Sequence, residues 1–363
     1  MKVGILTFHR ANNYGAVLQV YALQNICKSI GCDVEIIDYR CNAIEMHYTP
    51  IVFPKFNKNI IKWVKLCIKY ILIGNAIKTK EERYNEFRSR LNISQETYRT
   101  EKEKIESKYD VIITGSDQVW SFDVINELND WYCYRKNSND TKVISYAASA
   151  GSLITFRNNF DFYGEIIRCY SDISVRELNL KNFLINNGIK DVSRVLDPTL
   201  LMNINEWNRI ISSDRVIQKK YILYYDVENN EDAKRIAIDL ARKERLKLVV
   251  LNKYRNISLN SLLVIDAGPI EFLNLIKNAE YIVGSSFHLV VFSIIFEKKF
   301  LSLLHPKTGD RVRELLCELK LENRIMSKND NALKIKNSID YNDVKKKLEE
   351  LKIESIEYLK KHC

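Results

Sequence analysis

Residues 2–39 read KVGILTF (2–8), HRANNYG (9–15), AVLQVYALQNICKSI (16–30), Gly31 and, after Cys32, DVEIIDY (33–39). KVGILTF is a short, almost unbroken apolar run, the pattern of a strand buried on both faces. HRANNYG is polar and carries a glycine and two asparagines, so it reads as a loop. Residues 16–30 read as a helix. Gly31 stands where that helix should stop, because glycine takes the left-handed conformation without strain. DVEIIDY is then the second strand. Strand, loop, helix and strand in this order open a βαβ series and predict a parallel sheet.

The same alternation continues outward. YDVIIT (109–114), KVISYAA (142–148) and DISVRE (172–177) read as strands, the last ending at Arg176. Helices are expected at 157–170 and at LNLKNFLINNG (178–188), closed by Gly188. VLDPTLLM (195–202) looks like a crossover, because Asp197-Pro198 breaks regular structure. A second series follows: KYILYYDV, EDAKRIAIDLARKE, LKLVVLN, then IEFLNLIKNA after LLVIDAGP, YIVGSS, FHLVVFSIIFE and KFLSLLH. A charged helix at 310–320 and an amphipathic one at 343–362 close the chain. Residues 79–106 read as exposed, charged helices or loops. The expected fold class is α/β: two Rossmann-like doubly wound domains, 1–200 and 201–363, facing across a cleft, with a C-terminal helix. Ligands in such folds lie beyond the carboxyl ends of the strands.

The bulk composition fits this reading and narrows the partners. Hydrophobic residues make up 46% and charged residues 28%, which suits a folded globular chain. The net charge of +10 favours anions: phosphorylated substrates, acidic polymers, nucleic acid or a membrane surface. No nucleic-acid-binding motif is present, so no nucleic-acid partner is expected. The eight cysteines show neither CxxC nor zinc spacing, as expected for reduced thiols in a cytoplasmic protein and for a site without metal. MKVGILTFHR is too short and too soon polar for a signal peptide, and no segment reaches the ~20 apolar residues of a membrane span. The helix expected at 58–73, KNIIKWVKLCIKYILI, sets Lys58, Lys62, Lys65 and Lys69 beside Ile61, Val64, Ile68 and Leu72. It fits either a packed helix with a solvated lysine face or peripheral contact with the inner face of a membrane.

Four groups of polar residues fall just after strands. Asn12, Asn13, Tyr14 and Gly15 join the first strand to its helix, where asparagine can cap the helix or hold a hydroxyl and glycine lets an anion approach. Ser116, Asp117 and Gln118, behind Gly115, can hold sugar hydroxyls or a phosphate, or form an ordinary turn. Arg176 can grip a carboxylate or phosphate, or pair with Glu177. His288 opens an apolar helix behind Gly284, Ser285 and Ser286, where free N–H groups and a titratable ring meet.

Six strings in order resemble the polysaccharide pyruvyl transferase family: GILTFHRANNYGAVLQVYALQ, VIITGSDQVW, KVISYAASAG, SVRE, VLDPTLLM and YIVGSSFHLVVFSIIFEKKF, within residues 4–300. The resemblance implies two Rossmann-like domains arranged as in GT-B glycosyltransferases. It implies transfer of the enolpyruvyl group of phosphoenolpyruvate, a co-substrate, onto a sugar to form a cyclic pyruvate ketal, with no cofactor. By the same resemblance Arg176 and His288 are the catalytic pair. Arg176, Gly284, Ser285, Ser286 and His288 bind the donor. Asn12, Asn13, Tyr14, Gly15, Ser116, Asp117 and Gln118 face the acceptor, a carbohydrate or lipid-linked oligosaccharide of a bacterial surface polysaccharide. The string departs from the family pattern at Ser285, Ser286 and Leu289, where Asp, Arg and Gly are common. Two rival readings are a GT-B glycosyltransferase using a nucleotide sugar and a noncatalytic polysaccharide-assembly protein. Arg176→Ala is expected to abolish donor binding with the fold intact.

Overall fold

A computed structural model describes residues 1–48, 60–99, 105, 107–135, 141–227, 230–251, 257–258, 261–327 and 330–363. Residues 58 and 59 of the expected basic helix lie outside this set, as do 100–104 and 106 of the charged stretch and Asn252.

Two parallel sheets carry the chain. The first has strands β1 (Lys2–Leu6), β2 (Asp33–Tyr39), β3 (Ile93–Tyr98), β4 (Val111–Gly115), β5 (Lys142–Ala148), β6 (Asp172–Val175) and β7 (Val192–Arg194), in the order β3-β2-β1-β4-β5-β6-β7. The second has β8 (Tyr221–Tyr225), β9 (Lys247–Leu251), β10 (Ser261–Val264), β11 (Tyr281–Gly284) and β12 (Lys299–Ser302), in the order β10-β9-β8-β11-β12. Each order reverses beside its first strand, so each sheet has one switch point: β1/β4 in the first and β8/β11 in the second.

The central strands are the apolar runs of the sequence. β4 and β8 are buried at every position, which parallel strands covered on both faces require. The edge strands are different. β3 exposes Gln95, Glu96 and Thr97, and β10 exposes Leu262. An edge strand faces solvent on one side and needs no apolar run. The stretch read as charged helix or loop therefore contains β3, and LLVIDAGP contains most of β10. The helix expected at 157–170 is two shorter ones, Leu153–Asn158 and Phe160–Ile167.

Helices of nine or more residues are labelled α1 (Tyr14–Ser29), α2 (Ile60–Arg88), α3 (Leu178–Asn186), α4 (Glu231–Glu244), α5 (Pro269–Asn278), α6 (Phe287–Ile295), α7 (Asp310–Glu318) and α8 (Tyr341–His362). Their ends follow local chemistry. Asn230 caps α4 by accepting from the Asp232 and Ala233 N–H groups, and Arg242 and Lys243 sit in its last turn, where the helix dipole favours cations. α6 is apolar apart from His288 and Ser293 and is buried at all nine positions, the mark of a helix inside the protein rather than on it.

α8 does not stay with the second sheet. The Tyr358 hydroxyl donates to the Ser145 carbonyl of β5 at 3.0 Å, and His362 lies 2.9 Å from Asp172 of β6. One apolar cluster runs without interruption from Val3 and Val17 through Leu200 and Trp207 to Phe272, Phe292 and Leu359. The two sheets thus share a core.

Candidate active site

The carboxyl ends of both sheets face one cleft of roughly 320 Å³. Asn13 follows β1, Asp117 and Gln118 follow β4, Val227 follows β8, and Ser285, Ser286 and His288 follow β11. The two switch points therefore open onto the same space, as doubly wound sheets place their ligands.

The β1–α1 loop is held from behind. Arg88, on α2, donates to the carbonyls of His9 (3.1 Å) and Arg10 (2.9 Å) and to the Asn12 side-chain oxygen. His9 and Arg10 in turn bind Asp38 at the end of β2, at 2.9 Å and 2.7 Å. Burial opposes ionisation of Asp38, but these partners outweigh it and hold the carboxyl well below its usual range. Asn12 is thus a loop anchor. Asn13 caps α1 by accepting from the Ala16 N–H and also lines the cleft. Tyr14 points away from the cleft: its hydroxyl donates to the Ala267 carbonyl at 2.9 Å, and its ring stacks on Phe272 of α5 at 4.4 Å.

Gly15 lies under the His288 ring. A Cβ there would stand 1.9 Å from His288 Nδ1, so the glycine is required by close approach. The other ring nitrogen, Nε2, faces Asp197 Oδ2 at 3.6 Å and has no hydrogen bond among the described residues. Asp197 also accepts from Arg176 Nη1 at 2.9 Å and, through Oδ1, from the Thr199 hydroxyl at 2.6 Å. Burial disfavours its charge, yet His288 and Arg176 keep it ionised below the usual carboxylate range.

Arg176 is 5% exposed and pairs with Glu177 (3.1 Å) as well as Asp197. Burial works against its charge, and the two carboxylates more than restore it. Its Nη2 has no hydrogen-bond partner among the described residues. Beside it, Arg311 on α7 borders the cleft and a second cavity of roughly 170 Å³ that Arg176 also lines. Both guanidinium groups lie over the Phe287 ring, 4.7 Å and 5.5 Å from its centroid. Burial and the neighbouring Arg176 push the Arg311 pKa down to about 10, so it stays a cation at neutral pH. Among the described residues Arg311 makes no ion pair. His305 and Lys307, after β12, complete a basic wall.

The remaining expected residues support this geometry from within. Ser116 donates to Gln19 Oε1 at 2.5 Å. Ser285 donates to Asp226 Oδ1 at 2.6 Å and accepts from the Val227 N–H. Gly284 lets β11 pass the Tyr225 carbonyl, 1.9 Å from where a Cβ would be. Ser286 precedes α6 without a side-chain capping bond and lines the cleft.

Sequence reasoning missed Asp197, Arg311, His305 and Lys307. Asp197 was visible only as a break before proline. HPKTGDR (305–311) follows a strand as the other polar groups do, and that position was the available signal.

Two facing Rossmann-like sheets with a polar cleft at both switch points define a GT-B-type protein. The family comparison narrows this: the family model described as polysaccharide pyruvyl transferase matches residues 13–306, and the chain belongs to that family. Solved structures of similar fold include the S. aureus MnaA–UDP co-structure (12% identity, 96% of this chain and 91% of that one, TM-score 0.51). They also include a putative UDP-N-acetylglucosamine 2-epimerase from Listeria monocytogenes (9%, 97% and 90%, TM-score 0.52). At such identities they speak to fold alone. No curated protein matches the chain in sequence. Family membership makes the chain a member of a transferase family and implies a polysaccharide acceptor.

Proposed function

We propose that this chain moves the enolpyruvyl group of phosphoenolpyruvate onto a sugar of a surface polysaccharide, or of its lipid-linked precursor at the inner face of the membrane, forming a cyclic ketal. The observation that carries the reading is the meeting of Arg311, Lys307 and His288 on the cleft, with Arg176 and Asp197 behind them lining the cavity that adjoins it at Arg311. The donor carries a phosphate and a carboxylate, and guanidinium forks suit both. One sugar hydroxyl adds to donor C2 while a proton goes to the C3 methylene. A second hydroxyl then displaces phosphate from C2, closing the ring. In this reading His288, beside Asp197, supplies the methylene proton. Asp117 and Asn13, which also line the cleft, receive the sugar hydroxyls in the same reading.

Arg176→Ala is not a clean test. It would leave Asp197 and Glu177 buried beside a lost cation, and breaking a buried pair costs about 3–5 kcal/mol. Arg311→Ala is the better probe. Phosphoenolpyruvate should raise the melting temperature of the native chain and fail to do so for Arg311→Ala, since a ligand stabilises the state it binds. Acceptor-dependent phosphate release is the direct assay. A second reading, transfer from a nucleotide sugar, draws on the α6 N-terminus behind Ser286, which can seat a diphosphate. Stabilisation by UDP-, GDP- or CMP-sugars and not by phosphoenolpyruvate would select it.

A further inference from the structure

α2 is twenty-nine residues long, and its two ends are built for different tasks. The C-terminal end is tied to the cleft: Arg83 pairs with Asp266 (2.8 Å) and Glu271 (3.4 Å) from the second sheet's side, and Arg88 clamps the β1–α1 loop. The N-terminal end holds large apolar side chains in solvent. Ile60, Ile61, Val64, Ile68, Ile71 and Leu72 are 41% to 75% exposed.

These six are not scattered. At about 100° per residue they fall within one arc of about 120°, and Lys65 borders that arc. Trp63, Tyr70 and Ile73, on the opposite side, are half-buried, as is Cys67 at the other border of the arc. From 58 to 80 the sequence has six lysines and no acidic residue. A contiguous apolar stripe bordered along one edge by lysine, in a stretch without acidic residues, is the pattern of a helix lying in a membrane interface, stems in the acyl boundary and ammonium groups among the phosphates. No described helix is long and apolar enough to cross a bilayer.

We infer that the Ile60–Leu72 face of α2 docks on an anionic glycerophospholipid surface and holds the cleft beside it. An apolar patch alone would suit a protein partner equally well. The absence of any acidic residue along 58–80 selects an anionic surface. From Ile68 to Arg88 the helix spans roughly 30 Å, so one rigid rod joins the docking face to the loop that carries Asn13 and Gly15. The inference takes its purpose from the proposed lipid-linked acceptor, and its evidence stands apart from the donor chemistry.

The test is co-sedimentation of the full chain with vesicles, without donor or acceptor. It should pellet with phosphatidylcholine vesicles containing phosphatidylglycerol and remain in solution with phosphatidylcholine alone. Ile68→Glu/Leu72→Glu should weaken binding at least about tenfold with an unchanged melting temperature, because both side chains are exposed. Lys65→Gln should weaken it about fivefold. Three results would overturn the inference: no pelleting with phosphatidylglycerol, equal pelleting of the Glu variant, or a dimer of the native chain that the Glu variant abolishes. Failure of phosphoenolpyruvate to bind would leave the vesicle result untouched.

Discussion

Gly15→Ala is the substitution that tests the site most sharply, because two effects of opposite sign meet there. Gly15 lies in the first turn of α1, and alanine in a helix gains up to about 1 kcal/mol over glycine. Considered locally, the change stabilises. The new Cβ would, however, stand 1.9 Å from His288 Nδ1, 2.3 Å from Cε1 and 2.6 Å from Cγ. Carbon contacts settle near about 3.5 Å, so the ring must withdraw by roughly 1.5 Å. His288 sits on α6, buried at every position, and overpacking of this kind costs about 1–3 kcal/mol. The net expectation is a loss of up to about 2 kcal/mol in the native background. In His288→Ala the ring is gone, and the helix gain of up to about 1 kcal/mol remains. The coupling between the two sites should then be about 1–3 kcal/mol, read from urea melts of the four proteins in a double-mutant cycle. Turnover should fall at least about 100-fold, since a misplacement of about 1 Å at a reacting group has that effect. Equal stabilisation in both backgrounds, or turnover near that of the native chain, would refute the proposed role of the Gly15–His288 contact.

Arg311→Ala should weaken phosphoenolpyruvate binding at least about tenfold by calorimetry while shifting stability by no more than about 1 kcal/mol, because Arg311 has no ion pair to orphan among the described residues. Asp38 and Asp197 both ionise below their unfolded values, so their stabilisation is complete above about pH 4 and is lost as the pH falls through their folded values. Acid melts of Asp197→Asn should show a shallower decline over that window, and an identical decline would contradict the assignment. The Cys27 thiol is pushed up by its hydrogen bond with Cys363 and by burial, whereas the same bond pulls the Cys363 thiol down. Timed alkylation with mass spectrometry should therefore modify Cys363 well before Cys27.

What the sequence discloses here follows burial. Central strands such as VIITG and YILYY declare themselves because both faces are covered and every residue must be apolar. β3 and β10 hide because solvent satisfies one side of an edge strand. The site divides in the same way. His288, Asn13, Asp117 and Gln118 line the cleft, and their place after a strand marked them in advance. Asn12, Tyr14 and Ser116 stand in equally promising strings, yet their polar atoms are consumed by Arg88, Ala267 and Gln19. Such bonds join residues 76, 253 and 97 positions apart, a separation that no local pattern reports. Asp197 shows the converse. Its importance comes from Arg176 and His288, which only the folded chain brings to it.

The path of α8 has a mechanical consequence. The chain passes from the first sheet to the second near Leu196–Met202 and returns when α8 lays Tyr358 and His362 against β5 and β6. Two strands of covalent chain crossing one seam act like a pair of stitches. With the uninterrupted apolar cluster beneath them, they oppose sliding, twisting and swinging of one half on the other. Each half is also incomplete without the other, since a fragment ending at the first crossing would lack the helix that meets Ser145 and Asp172. Heat or denaturant should consequently melt the protein as one body rather than sheet by sheet.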